Sequence, residues 1–152
     1  KKTIVNIGAT ESGIGAVYEL ARSLGFETTG IVSGLAKEAK VPLSPHVQTV
    51  IYIEDKSWGG LVAGTSRLSP TSQAMVACSD QLIAIGGGPV ARDELLAAKR
   101  LGRKFEYIPA DMNHQAAIEK ARKQGQPATT NVRGAVDEMF GKRAGETPDP
   151  RD

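Results

Sequence analysis

Short apolar runs alternate along the chain with segments whose apolar residues recur at helical spacing. The apolar runs are rich in β-branched residues and end at glycine or polar residues, which predicts buried strands. The predicted strands cover residues 3–8, 27–33, 47–53, 81–85 and 104–108. The segments between and after them predict helices over residues 14–24, 70–78, 90–101, 113–123 and, as a last short one, 132–140.

Strands that alternate with helices predict an α/β fold, because each parallel strand needs a crossover connection. The strands read as nearly continuous apolar runs, which is typical of a sheet covered on both faces. We therefore expect a Rossmann-like three-layer domain over residues 1–141, with a mainly parallel sheet of about five strands. Residues 142–152 are polar and proline-rich, which predicts a disordered tail. The chain opens directly on a core strand, which is typical of a chain that has lost residues upstream or of a segment cut from a longer protein.

Bulk composition favours an ordinary globular domain and excludes several classes of protein. The 152 residues are 40% hydrophobic and 24% charged, and the net charge of +2 is too small to indicate nucleic-acid binding. No apolar run approaches the roughly 18 residues of a membrane span. Cys78 is the single cysteine, which excludes an internal disulfide and favours a cytoplasmic location. His46 and His114 lack neighbouring ligands, so we expect neither a metal nor a bound cofactor.

The first glycine-rich loop, GATESGIG over residues 8–15, follows the first predicted strand directly. Glycine allows a sharp turn and close backbone approach to a ligand, and the helix start that follows favours an anion. The residues we expect to bind phosphate here, through amides or hydroxyls, are Gly8, Thr10, Ser12, Gly13 and Gly15. The alternative is a tight strand–helix turn without a ligand.

The second glycine-rich loop comprises Gly86, Gly87 and Gly88, ahead of a helix that carries Glu94. Three consecutive glycines cost about 1 kcal/mol each relative to alanine, which a simple connector does not require. Close approach to a ligand explains them better. Both loops follow strands, at the edge where open α/β sheets bind ligands. An isolated helical glutamate such as Glu94 is otherwise an ordinary solvated surface charge.

The segment SDQLIAIGGGPVARDELLAAKRLGRKFEYI resembles the glycine-rich region of the LOG-like phosphoribohydrolases of the SLOG superfamily. NIGATESGIGAVYELARSLGFETTGIVS resembles the first loop, helix and strand of the same group, so the resemblance covers roughly residues 3–108. It implies a Rossmann-like fold that binds nucleotides, and self-association into homo-oligomers. Molybdenum cofactor carrier proteins are relatives of the group.

The resemblance carries over residue by residue only in part. Gly87 and Gly88 match the paired glycines of the family, and Glu94 matches its catalytic glutamate. That glutamate implies cleavage of the N-glycosidic bond between a base and ribose 5-phosphate. Val90 and Ala91 stand where the family has Gly-Thr, and Gly86 replaces a proline. Thr71 occupies the position of the family's arginine, so Arg67 is the nearest substitute as a second catalytic residue.

Three functions remain open from the sequence. The first is hydrolysis of a nucleoside monophosphate, and the second is non-catalytic nucleotide sensing or carriage. The third is a reductase dependent on a nicotinamide dinucleotide, because GATESGIG also resembles the cofactor loop of short-chain dehydrogenases. Tyr52 and Lys56 supply a Y-x-x-x-K motif, but the β-rich run VQTVIYI argues against their sharing one helical face.

Overall fold

The computed structural model describes residues 2–111, 114–128 and 132–141 as an α/β protein. Its strands are β1 (Ile4–Ile7), β2 (Glu27–Ser33), β3 (Thr49–Ile53), β4 (Gln81–Ile85) and β5 (Lys104–Ile108). Its α-helices are α1 (Val17–Ser23), α2 (Leu35–Glu38), α3 (Pro70–Ala77), α4 (Pro89–Arg100), α5 (His114–Lys123) and α6 (Ala135–Phe140). The predicted tail over 142–152 lies outside the described residues.

The predicted order of strands and helices is confirmed, with two local differences. A single 3₁₀ turn over Gly13–Ala16 precedes α1, so the first helix begins in a tighter form than the apolar periodicity suggests. The short helix α2 lies between the second and third predicted strands, where the sequence predicts no helix. One helical turn after a strand carries no apolar period long enough to be recognised.

The strands form two parallel sheets rather than one. β1, β2 and β3 pair in that order, and β4 pairs with β5. The α/β class and the parallel pairing are confirmed, but the prediction of one sheet of about five strands is wrong. Apolar patterning identifies a strand from its own residues, whereas the choice of a hydrogen-bonding partner depends on packing between distant segments.

Each sheet has its own small hydrophobic core. Ala9, Val32 and Ala36 form the first, against which Trp58 packs. The buried residues of the second are Ala84, Leu95 and Val136. Helix α3 joins the two halves, since it packs against β2, β3 and α4.

One face of β4 is open to solvent, contrary to the expectation of two covered faces. Ala84 is buried against α4 and α6, while Ile83 and Ile85 on the opposite face are 52% and 42% exposed. An apolar run therefore does not prove that both faces of its strand are covered. The strand is apolar from Leu82 to Ile85, but its more buried residues, Leu82 and Ala84, lie at alternate positions.

Tyr18 fastens the first glycine-rich loop to the sheet. Its side chain is fully buried, and its hydroxyl accepts hydrogen bonds from the amides of Ile7 and Ala9 at 3.1 and 3.3 Å. The same hydroxyl donates to the carbonyl of Thr29 on β2. Burial raises the pKa of this phenol, so it remains a donor.

Tyr18→Phe is expected to lower the free energy of unfolding by about 1–3 kcal/mol, because two amides and a carbonyl lose a buried partner. Urea denaturation of the purified protein measures the change. Tyr52→Phe is the matched control, since Tyr52 is 40% exposed and should tolerate the loss of its hydroxyl. Equal effects of the two substitutions would contradict the role assigned to Tyr18.

Candidate functional site

The glycines of the first loop divide into packed and open positions. A side chain at Gly15 would overlap the carbonyl of Thr10, so this glycine is required by the loop itself. Gly8 and Gly13 face open space instead, and Gly13 has a φ of +63°. The space in front of this loop is therefore at Gly8 and Gly13.

Some amides of this loop are used internally and others are not. The amide of Thr10 donates to the carbonyl of Gly8, and that of Glu11 donates to the carbonyl of Pro42. No hydrogen bond within the described residues uses the consecutive amides of Ser12, Gly13 and Ile14. Three adjacent free N–H groups at a helix start favour an anion.

The second loop is closed on one side by α6. Gly86 donates its amide to the carbonyl of Ile108, and the carbonyl of Gly87 accepts the amide of Val136. A Cβ atom at Gly87 would lie 2.8 Å from a methyl group of Val136, at a φ of +124°. Packing between loop and helix thus accounts for Gly87, whereas Gly88 faces open space.

The start of α4 presents the second group of free amides. Gly88 is the N-cap of this 12-residue helix and provides no side-chain cap, and Pro89 has no N–H group. In the described part of the chain, the amides of Gly87, Gly88, Val90 and Ala91 make no hydrogen bond. The positive end of the helix dipole adds to them, so the geometry suits a phosphate or carboxylate.

The segment Trp58–Gly60 lies between the two loops. Trp58 packs on the cluster that contains Ala9 of the first loop. A Cβ atom at Gly59 would lie 3.1 Å from Val90 in the first turn of α4. No backbone hydrogen bond among the described residues joins the two loops directly, so this segment is the physical link between them.

Asp55 anchors the start of the connection between β3 and α3. Its carboxylate accepts the amide of Ser57 at 2.8 Å and the amide of Thr71, at the start of α3, at 2.9 Å. Partial burial acts to raise the pKa of Asp55, but these hydrogen bonds outweigh it and lower the pKa to about 2. The carboxylate thus already occupies the amide end of α3.

Glu94 is the most chemically distinctive residue of the site. It follows Val90 by one turn on the same face of α4 and accepts a hydrogen bond of 2.7 Å from the hydroxyl of Ser72. Burial raises its pKa from 4.5 to about 7, assisted by the negative charge of Asp93 and opposed by the Ser72 hydroxyl. A carboxyl group that titrates near neutral pH is suited to exchange protons with a ligand.

Asp93 anchors a second point of the connection between β3 and α3, at Leu61. It is 8% exposed, accepts the amide of Leu61 at 3.1 Å and forms an ion pair of 3.0 Å with Arg92. The side chains of Asp93 and Ser72, like Tyr18, escaped the sequence analysis. Each is an isolated polar residue in a helix, and only the tertiary contact distinguishes it from a surface residue.

Arg67 does not lie with the other predicted site residues. It is exposed and belongs to a hairpin in which Leu61 pairs with Leu68. The amide of Arg67 donates to the hydroxyl of Thr65, and within the described residues its guanidinium makes no hydrogen bond or ion pair with Glu94 or with either glycine-rich loop. The loop that carries Arg67 turns back on itself, with the amide of Val62 donating to the carbonyl of Arg67.

Tyr52 and Lys56, the residues behind the reductase alternative, do not share a helix. Tyr52 lies on β3, and the ammonium of Lys37 is 5.4 Å from the centre of its ring. Lys56 follows in the loop. Among the described residues no group of three His, Cys, Asp or Glu side chains is arranged to hold a metal ion, and no helix is long and apolar enough to cross a membrane.

Comparison of the chain with protein-family models, curated proteins and solved structures finds no match. The resemblance to the LOG-like proteins therefore rests on the quoted motifs alone and stays a prediction.

Gly87→Ala is expected to lower the free energy of unfolding by about 1–3 kcal/mol, because the new methyl group meets Val136 and the φ angle is strained. Gly88→Ala should change it by less than about 0.5 kcal/mol, since Gly88 has a φ of −91° and open space. Chemical denaturation compares the two neighbouring variants. Similar losses in both would show that Gly88 is also packed against the chain.

The raised pKa of Glu94 predicts a pH dependence of stability. The folded protein holds the Glu94 proton up to about pH 7, whereas the unfolded chain releases it near 4.5. The contribution of this proton to stability is therefore complete below pH 4.5 and is lost as the pH rises through 7. The free energy of unfolding of Glu94→Gln should fall less than that of the wild type between pH 5 and pH 8. Parallel curves would contradict the raised pKa.

Proposed function

We propose that the chain binds a nucleotide, with its phosphate at the free amides that begin α4 and its ribose next to Glu94, and hydrolyses the N-glycosidic bond. One observation carries the proposal: unused amides and a carboxyl group with a pKa of about 7 lie within two turns of the same helix. The amides supply an anion site, and the carboxyl supplies a proton-transfer group.

The phosphate site is made by backbone rather than by side chains. Gly88 leaves space for a ligand, and the amides of Gly87, Val90 and Ala91 are unused among the described residues. The amides of Ser12 and Gly13 are likewise unused among the described residues, and we propose that they contact another part of the same ligand. Neutral donors bind a charged phosphate well when a helix dipole adds to them.

The proposed chemistry needs only one carboxyl group and water. As the bond between base and ribose breaks, positive charge develops on the sugar, and ionised Glu94 stabilises it. The carboxylate also accepts a proton from the attacking water, whose oxygen bonds to the anomeric carbon while the bonding electrons leave with the base. A pKa of about 7 lets Glu94 return that proton to the departing base.

A second candidate is binding without turnover, as in a sensor or carrier. The position of Arg67 in an exposed hairpin and the ion pair between Arg92 and Asp93 favour it. An arginine that holds the phosphate would help fix the sugar for reaction.

The wider proposal of a Rossmann-like three-layer arrangement is supported by parallel strands in both sheets and by α3, which packs on the first sheet and on α4. Self-association and a cytoplasmic location stay predictions.

Incubation of the protein with adenosine monophosphate tests hydrolysis. Base release should occur in the wild type and fall by at least about 100-fold in Glu94→Gln. Loss of general acid–base catalysis typically lowers a rate by about 10²- to 10⁴-fold. Glu106→Gln is the matched control, because Glu106 is exposed on β5. Chromatography of free adenine measures the product. Equal release by both variants would exclude Glu94 as the catalytic residue.

A thermal-shift titration separates binding from chemistry. Adenosine monophosphate at 100 times its dissociation constant should stabilise the folded protein by about 2.7 kcal/mol. Glu94→Gln should retain most of this shift, since the amides bind the phosphate. Binding without base release supports the sensor, whereas the absence of any shift with nucleoside monophosphates or inorganic phosphate would overturn both candidates.

A further inference from the structure

Ser72, in the first turn of α3, is completely buried and uses both roles of its hydroxyl. The oxygen accepts the amide of Gly60 at 2.7 Å, and the hydroxyl donates to Oε1 of Glu94 at 2.7 Å. The amide brings its own proton, so the single hydroxyl proton is directed at Glu94. A continuous line of hydrogen bonds therefore runs from the backbone of Gly60 to the carboxyl group.

We propose that Ser72 is a positioning residue that orients the carboxyl group of Glu94 and couples its protonation to the Gly59–Gly60 turn. The proposal rests on the proposed function in treating Glu94 as the acid–base group of the site. Ionised Glu94 draws the Ser72 proton more strongly than the neutral acid does, which makes the hydroxyl oxygen a better acceptor for the Gly60 amide. Release of the Glu94 proton thus tightens the turn against α3.

The turn can transmit this change because it lies against the candidate site. Gly59 and Gly60 have φ angles of +108° and +80°. A Cβ atom at Gly59 would lie 3.1 Å from Ser72 of α3, and one at Gly60 would lie 3.0 Å from Asp93 of α4. Trp58 precedes them and packs beside Ala9 of the first loop. A ligand proton taken up or released by Glu94 is therefore sensed by the segment that joins the two loops.

The protonation of Glu94 also depends on the charged groups of the elements that pack around it. On α4, Asp93 acts on it directly and is itself paired with Arg92. Helix α3 and strand β4 contain no charged residue. Lys104 and Glu106 of β5 and Glu138 of α6 are exposed, and Asp137 of α6 accepts a hydrogen bond of 2.6 Å from the hydroxyl of Tyr107. Ser72 is thus the hydrogen-bond donor to Glu94 in the described residues, and Asp93 the charge that opposes its ionisation.

Ser69 provides a matched control one turn earlier. It is 1% exposed like Ser72, but its hydroxyl has no hydrogen-bond partner among the described residues. Ser69→Ala therefore removes a buried serine hydroxyl of the same helix start without touching the Glu94 line. Ser72→Cys retains the approximate size of the side chain with a weaker donor.

The experiment is a pH titration by NMR of the full chain, which needs no turnover. The carboxyl carbon of Glu94 reports its protonation, and the amide of Gly60 reports the turn. In the wild type and in Ser69→Ala, both signals should change with one midpoint near pH 7. In Ser72→Ala the Glu94 midpoint should move upward, because a donor to the ionised form is lost. The Gly60 amide should no longer follow it, and Ser72→Cys should be intermediate.

The outcomes separate this inference from the proposed function. A Gly60 amide that titrates with Glu94 supports the coupling even if adenosine monophosphate is never cleaved. A Gly60 amide indifferent to Glu94 in the wild type overturns the coupling even if base release occurs. If Ser72→Ala fails to fold, Glu94→Gln tests the same coupling. This variant lacks the titrating carboxyl group, so the pH-dependent change of the Gly60 amide signal should disappear. A titration that persists in Glu94→Gln overturns the inference.

Discussion

The contact between the Gly59–Gly60 turn and the start of α4 is the constraint on which the rest of the site depends. Val90 lies so close to Gly59 that a side chain there would displace it, and Asp93 lies equally close to Gly60. The same turn is bonded to Ser72 of α3. The connection after β3 is therefore fixed by two helices at once, and its fixation brings Glu94 and the first glycine-rich loop to either side of one short segment.

The same constraint also connects the two separate sheets. β4 and β5 share no strand pairing with β1, β2 and β3, yet α3 packs on the first sheet and on α4 of the second. The polar ends of α3 and α4 meet through Ser72 and Glu94. The two sheets, each with its own hydrophobic core, are thus connected by a polar contact between the first turns of α3 and the following helix α4.

Local patterns predict the five strands and all the α-helices except α2, but not which strands pair. Strand and helix positions follow from apolar period and from end signals such as Pro70, which lies in the first turn of α3 as predicted. The two-sheet arrangement does not follow from the sequence, because the hydrogen-bonding partner of a strand depends on packing between distant segments. The apolar run of β4 does not show either that Ile83 is exposed. Only the family motif points to Glu94 in the sequence. Nothing in the sequence points to Ser72, because a serine in a helix has no pattern that reveals a buried partner.

The glycines show why a motif alone does not define a binding site. Gly15 and Gly87 belong to the two glycine-rich loops, but each lies where a side chain would strike the chain itself. Gly13 and Gly88 face open space next to amides that are unused within the described residues. Open space next to the loops therefore lies at the second pair, whereas the absence of a side chain in the first pair is required by the packing of the turns themselves. Glycine-rich composition combines the two roles, and only the space around each residue separates them.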